Sequence, residues 1–510
     1  RMWKINIPCA LPMKPNNPIM NECYNTNPER TPESDAKTSS TASNHLVIVG
    51  GGSAAFAATT RAAGKGWRVT LINDGLPIGG TCVNVGCVPS KTLIRAAEAH
   101  HRAKHNPFAG IESTSEISDF GAITRQTQEL VETLRQEKYL DVVNDLPGVR
   151  IIEGRARFLS SREVEVAGET LIADRVIIAT GTRTHVPDIP GLAEIDYLIT
   201  DTAFELPAAP KSLLVLGGRY IALECAQMFA RLGVKTTVLQ RSDRILPTET
   251  AALTDALTGY LRDEGLAIQT GVEIQAVRRG GDGVEVEARV GGKRQVFTAE
   301  RLLLATGRSP NTEGLNLDVA GVALDEQGFI QVDEQLQTSR SDIYAAGDVV
   351  GDPMFVYTAA YEGALAAENA CTASGTTPRE RDYNPLPWVV FTDPQVAGVG
   401  LDQAEAEAAG HDAETVTLPM SKVPRALAAR DTRGFLQLIR DRRTDRILGA
   451  RALAPEGSEL MMEVSLALRH GMTAKDLASM FHPYLTLSEA VKLAALSFGK
   501  DVDKLSCCAT

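Results

Sequence analysis

The sequence predicts an α/β fold: two Rossmann-like dinucleotide-binding domains, then a C-terminal α+β domain. Three observations carry this. A unit of apolar strand, Gly-rich turn, small-residue helix and second strand occurs at 45–73 and recurs at 211–241. Strands and helices alternate around both units, the pattern of parallel sheets with crossover helices. From about residue 385 the chain changes to mixed strands and helices. A length of 510 residues suits about three domains.

The elements follow in order. Residues 1–44 are rich in Pro, Asn, Thr and Ser without periodicity and are expected to be a disordered tail. HLVIVGGGSAAFAA (45–58) reads as strand, turn and helix, and WRVTLIN (67–73) as the next strand. Residues 84–145 contain helical stretches. IIEGRARFL (151–159), REVEVAG and RVIIATG (175–181) read as strands. KSLLVLGGRYIALECAQMFARLG restarts the theme at 211, closed by KTTVLQR (235–241). RLLLATG (301–307) and DIYAAGDV (342–349) follow, then helices near 402–409, 457–470 and 486–498.

The first turn carries Gly50, Gly52 and Ala55 in a G-x-G-x-x-A pattern. Gly50 permits the tight turn, Gly52 lets a pyrophosphate approach the backbone, and Ala55 lets helix and strand pack closely. The acid expected at the end of the second strand is replaced by Asn73, with Asp74 beside it as a substitute. The second turn, from Gly217 to Ala222, has Arg219 in place of the middle glycine. Gln240 and Arg241 stand where an acid would select NADH. Arginine pairs with a 2′-phosphate, so NADPH is expected, held by Arg241 with support from Arg244. Two nucleotide modules imply two cofactors exchanging electrons: a nicotinamide gives a hydride, and a flavin can accept it and pass electrons to sulfur.

The chain has 52 Lys+Arg against 64 Asp+Glu, a net charge of −12. Without basic blocks it is a poor candidate for nonspecific nucleic-acid binding. No apolar run reaches the ~18 residues of a membrane span, and the first 30 residues show no signal-peptide pattern, so a cytoplasmic location is expected. Eight cysteines are too few for a disulfide scaffold. Cys225 and Cys371 sit in apolar, Ala-rich stretches and read as packing; Cys9 and Cys23 fit no pattern. The close pairs Cys82/Cys87 and Cys507/Cys508 suggest redox or metal chemistry. Five residues of ideal helix rise about 7.5 Å, beyond normal disulfide reach. Cys82 and Cys87 can therefore pair only on an irregular turn, to which Gly86 and Pro89 are suited. Lys91, one turn beyond Cys87, can place a cation beside a thiolate or a reduced flavin.

The segment GGTCVNVGCVPSK resembles the flavin-dependent pyridine nucleotide–disulfide oxidoreductases, over about residues 45–508. The resemblance implies an FAD domain (45–190), an NADPH domain (191–312), a return to the FAD domain (313–383), an interface domain (384–500) and a C-terminal tail (501–510). It implies one FAD per subunit and a homodimer with shared active sites. Cys87 would face the flavin and Cys82 would be the interchange thiol. Glu224 would pair with Lys91, Asp348 would hold the FAD ribityl chain, and Gly75, Gly80, Thr81, Ala156 and Val356 would line the flavin. Tyr220 would cover the nicotinamide pocket.

Disulfide reductases of this family carry a His-Pro whose His, from the partner, protonates a leaving thiol. Aligned on Thr486 to Ala490, this chain has Tyr484-Leu485 there, with His482 two residues upstream. The PYLT segment, Tyr139 and the terminal Cys507-Cys508 are similar to those of mercuric reductases. Soft ions select thiolates, so this implies reduction of Hg(II) to Hg(0): the partner's tail dithiol delivers the metal to Cys82/Cys87, flanked by Tyr139 and Tyr484. Residues 1–44 lack a GMTCxxC metal-binding motif, leaving capture to the tail pair. The alternatives are a dihydrolipoamide dehydrogenase- or glutathione reductase-like enzyme and a flavoprotein that sequesters thiophilic metals.

Overall fold

The computed structural model describes residues 44–501, apart from 282 and 374, together with Lys504. The N-terminal stretch expected to be a tail and the Cys507/Cys508 pair lie outside the described residues.

A five-stranded parallel sheet is built from distant segments, in the order Ile343–Ala345, Arg175–Ile178, His45–Val49, Arg68–Asn73, Val149–Glu153. Both faces of its central strand are covered, so all of Leu46, Val47, Ile48 and Val49 are buried. The strand order reverses beside His45–Val49, which places the Gly50 turn at the sheet's switch point, where ligands of such folds bind. The helix Ser53–Gly64 leaves that turn and packs on the helix Val356–Ala370. Contact is close because Gly363 has no side chain: a Cβ there would lie 2.0 Å from the Ala54 carbonyl oxygen.

The repeat at 211 forms a four-stranded parallel sheet in the order Ala267–Gln269, Lys235–Leu239, Ser212–Leu216, Arg301–Leu304, with the helix Tyr220–Arg231 after the second turn. The sequence reading missed the antiparallel meander Val272–Gly280, Gly283–Val290, Lys293–Ala299 inserted before the last of these strands. Its middle strand carries a period-two signal, buried Val284, Val286 and Ala288 alternating with less buried charged residues. The final region is a five-stranded antiparallel sheet, Trp388–Val390, Gln395–Gly400, Ile447–Ala454, Phe435–Asp441, Ala413–Pro419. Helices Gln403–Ala408, Met461–Arg469 and Glu489–Leu496 accompany it, close to the expected positions. Two strands are shorter or broken relative to expectation. The 151–159 stretch divides at Gly154 into Val149–Glu153 and Arg157–Phe158, and the 175–181 strand stops at Ile178. Cys225 is buried, and its thiol is pushed up to about 12 by burial, as a packing cysteine should be. Cys371 is only half-buried, packing against the core at the end of its helix. Among the described residues no helix is long and apolar enough to cross a membrane.

Candidate functional site

A cavity of about 620 Å³ opens at the switch point of the first sheet. Gly50, Gly52, Gly75, Gly80, Thr81, Cys82, Cys87, Lys91, Ala156, Glu224, Asp348 and Val356 all line it, gathered from five separated stretches of chain. Gly50 takes φ +129°, and a Cβ there would lie 2.1 Å from the Ala179 carbonyl oxygen, so only glycine fits the turn. Gly52 is extended and caps the helix Ser53–Gly64 without a side-chain hydrogen bond, leaving the helix N-terminal amides directed at the cavity. Ala55 does not line the cavity; it is fully buried between helix and sheet, the packing role its motif position requires.

The cavity also holds an unsatisfied polar group. The Thr180 hydroxyl is buried there without a partner. Burial raises the Asp348 carboxyl above the usual carboxylate range, and a hydroxyl hydrogen bond from Thr182, at 3.1 Å, opposes the shift. Arg308, which sequence patterning does not mark, donates to both the hydroxyl and the carbonyl of Thr182 at 2.6 and 2.7 Å. A glycine cradle, an uncapped helix and buried acceptors fit a dinucleotide with a polyhydroxylated chain, as FAD is. The volume lies in the range of ligand sites, roughly 300–1,000 Å³.

Asn73 ends the strand Arg68–Asn73 and is buried. Its amide donates to the Leu76 carbonyl at 3.0 Å and to the Glu153 carboxylate at 2.9 Å. Asp74 is exposed at the cavity wall. Acids thus flank the asparagine, one of them, Glu153, from the neighbouring strand at the same register. That placement is invisible in the sequence, since it joins positions eighty apart.

The dithiol sits at a break between two helices. Gly80–Asn84 ends, Val85 and Gly86 turn, and Cys87 starts the helix Cys87–Lys104. A Cβ on Gly86 would lie 2.8 Å from the Thr81 carbonyl oxygen, so this glycine allows the tight turn expected between the cysteines. Asn84 staples the approach, donating to the carbonyls of Pro77, Ile78 and Gly80 and accepting from Arg135. Both cysteines are free thiols. The hydrogen bond from Cys82 holds Cys87 down at about 7 against burial, with Lys91 helping. The same bond and burial push the Cys82 thiol far up. At neutral pH the Cys87 thiolate is therefore well populated, while Cys82 stays a thiol. Cys87 also occupies a helix N-terminus, which favours an anion.

Lys91 Nζ lies 2.5 Å from Glu224 Oε2 and 4.6 Å from the centroid of the Phe391 ring. Glu224 Oε1 accepts from the Phe391 amide at 2.9 Å. Phe391 had no sequence signal, because it comes from the antiparallel region some three hundred residues after the lysine. Tyr139, in the Gln136–Leu140 turn, stands edge-on to Phe56 with centroids 4.8 Å apart. Its hydroxyl is raised by burial and by Cys82.

Other expected groups are not gathered in the same cavity. Tyr220 opens the helix Tyr220–Arg231 and is part-exposed, next to the cavity residue Ile221. Gly217 takes φ +121°, whereas Arg219 is extended at φ −98°, so arginine replaces the middle glycine without strain. Arg241 is exposed and Arg244 half-buried beyond the Lys235–Leu239 strand, and neither makes an ion pair among the described residues. Tyr484 is 52% exposed and lies outside its own chain's cavity. The His482 side chain is 5% exposed, with Nε2 2.6 Å from Glu463 Oε1. It is committed to its own domain.

A pyridine nucleotide–disulphide oxidoreductase family matches residues 44–363, and the dimerisation domain of that family matches 386–495. The chain belongs to the pyridine nucleotide–disulphide oxidoreductases. Among curated members, mercuric reductases from Staphylococcus aureus and Streptomyces lividans are 42% and 43% identical. Each match covers 91% of this chain, and 84% and 98% of the respective relative. Among solved structures, the flavoprotein disulfide reductase RclA from Escherichia coli is 31% identical with a TM-score of 0.80, covering 89% of this chain and 100% of RclA. LpdA from Mycobacterium tuberculosis is 28% identical with a TM-score of 0.79, over 90% and 100%.

Proposed function

We propose that the chain is a homodimeric, FAD-dependent reductase that takes electrons from NADPH and reduces Hg(II) to Hg(0). The observation that carries this is the thiol–thiolate pair Cys82/Cys87 beside Lys91, in a chain whose His482 is held by Glu463. FAD, when held there, would supply two-electron chemistry between NADPH and the dithiol. The balance is NADPH + Hg(II) → NADP⁺ + Hg(0) + H⁺.

Each residue then has a task. The Gly50 turn with Gly52, Gly75, Gly80 and Thr81 would hold the pyrophosphate side of FAD, Asp348 its ribityl chain, and Ala156 and Val356 would make further FAD contacts. Lys91, fixed by Glu224 and Phe391, sets a cation near Cys87. Cys87 offers a thiolate to the metal at once, and Cys82 becomes the second ligand by releasing its proton. Two thiolates satisfy a soft ion that a hard-ligand site would bind poorly. Tyr139 closes this side, and Tyr484 of the partner would close the other. Exposed Met462, Leu466, Phe481 and Leu485 give the interface region an apolar face suited to a second copy. Arg241, supported by Arg244, would read the 2′-phosphate. Cys507 and Cys508 of the partner would hand over Hg(II) by ligand exchange, favoured by local concentration. The chain would work in the cytoplasm, where NADPH and small thiols are supplied.

The test mixes the FAD-loaded protein with NADPH, Hg(II) and excess small thiol. NADPH loss matched by mercury vapour is expected. Oxidation of NADPH by lipoamide or a glutathione-like disulfide, without vapour, would overturn the assignment.

A further inference from the structure

Behind the nucleotide side of the site stands a residue that belongs to no cofactor motif. The strand Trp388–Val390 opens the antiparallel sheet. Trp388 pairs with Gly398 on the next strand, and Gly398 pairs with Arg451 on the third. Gly398 is the gap in this row: a Cβ there would lie 2.6 Å from the Trp388 ring and 2.9 Å from Arg451 Cδ. Its missing side chain lets both large groups lie across the middle strand. The Arg451 guanidinium sits 5.8 Å from the indole centroid. Its side chain is buried, held by Glu405 at 3.0 Å and by Glu249 at 3.5 Å. Glu249 lies eight residues beyond Arg241 in the stretch that follows the strand Lys235–Leu239, so the clamp ties the antiparallel region to the nucleotide-binding repeat. The indole in turn stacks on Tyr220, with centroids 6.4 Å apart and planes 21° apart. Three residues further on, Phe391 supports Lys91 and Glu224.

We propose that Trp388, clamped over Gly398 by Arg451, is a positioning residue for Tyr220, and that it sets the affinity for the nicotinamide cofactor. The proposal rests on Tyr220 as the cover of the nicotinamide pocket. Tyr220 is 37% exposed and begins its helix; its hydroxyl is hydrogen-bonded to Thr248, and its ring stacks on the indole. The indole is a rigid wall that keeps the phenol in one orientation. Without it, binding NADPH must also order the ring, and affinity falls. An aromatic pair of ordinary strength corresponds to about a fivefold change in a binding constant.

The experiment uses FAD-loaded Trp388→Ala, Trp388→Phe, Gly398→Ala and Tyr220→Ala. Anaerobic mixing with NADPH gives the concentration dependence and limiting rate of flavin bleaching, and mixing the reduced protein with Hg(II) gives the second half-reaction. Trp388→Ala should raise the half-saturating NADPH concentration about fivefold, with the Hg(II) half-reaction unchanged, and Trp388→Phe should recover most of the loss. Gly398→Ala displaces the indole without removing it and should act in the same direction. With only Trp3 and Trp67 besides, Trp388 should also report NADP⁺ binding through its emission, a change absent in Trp388→Phe. If Tyr220→Ala shifts the NADPH dependence and Trp388→Ala does not, Trp388 has no positioning role. If Tyr220→Ala shifts nothing, the covering role of Tyr220 fails instead. Equal losses in both half-reactions with a lowered melting temperature would make Trp388 merely structural and overturn the proposal.

Discussion

Replacing Cys82 by alanine tests the central electrostatic claim. In the structure the hydrogen bond from the Cys82 thiol is the foremost reason that Cys87 is held at about 7 rather than 9.0. Burial works the other way, and Lys91 is a secondary aid. Two pH units correspond to roughly 3 kcal/mol of preference for the thiolate. At pH 7 about half of Cys87 is ionised with the bond present. At a value near 9 only about one molecule in a hundred would be. The sign follows directly: the thiolate appears as pH rises through the folded value, so losing the donor moves its appearance to higher pH. The assay is alkylation of Cys87 by iodoacetamide, measured from pH 5 to 10 on prereduced protein, with thiolate absorbance as a second signal. The midpoint should rise from about 7 toward the ordinary thiol value of 9.0 in Cys82→Ala. A midpoint that stays near 7 would refute the reasoning and assign the thiolate to Lys91 and the helix N-terminus.

Three further outcomes are expected. Gly50→Ala should yield protein without flavin, because its Cβ would meet the Ala179 carbonyl; the flavin-to-protein absorbance ratio measures this. Arg241→Ala should raise the KM for NADPH by about tenfold, the worth of one charge-assisted phosphate contact, and leave NADH use unchanged in steady-state kinetics. Cys507→Ala with Cys508→Ala should slow turnover on Hg(II) carried by bulky thiols and affect small-ligand complexes less; equal rates on both would remove the delivery role.

The sequence by itself determined the two nucleotide-binding units, the dithiol and its lysine. Each is a local pattern in which a turn, a helix start and a reactive side chain lie within about a dozen residues, so spacing alone reports geometry. Gly50 and Gly217 needed left-handed backbone, and Gly86 a tight turn, and all three stand in the motif as glycine. Only the tertiary structure decided what surrounds them. Phe391 beneath Lys91, Glu153 beside Asn73, Arg308 at Thr182 and Trp388 against Tyr220 join positions from eighty to three hundred residues apart. Such neighbours share no period and no spacing, because sheet order and strand register bring them together. The same holds for His482. Its place two residues upstream of Tyr484 left its role open in the sequence, and the fold turns its ring inward to Glu463. Burying an imidazole calls for a hydrogen-bond partner, and which partner that is depends on packing rather than on the neighbouring letters.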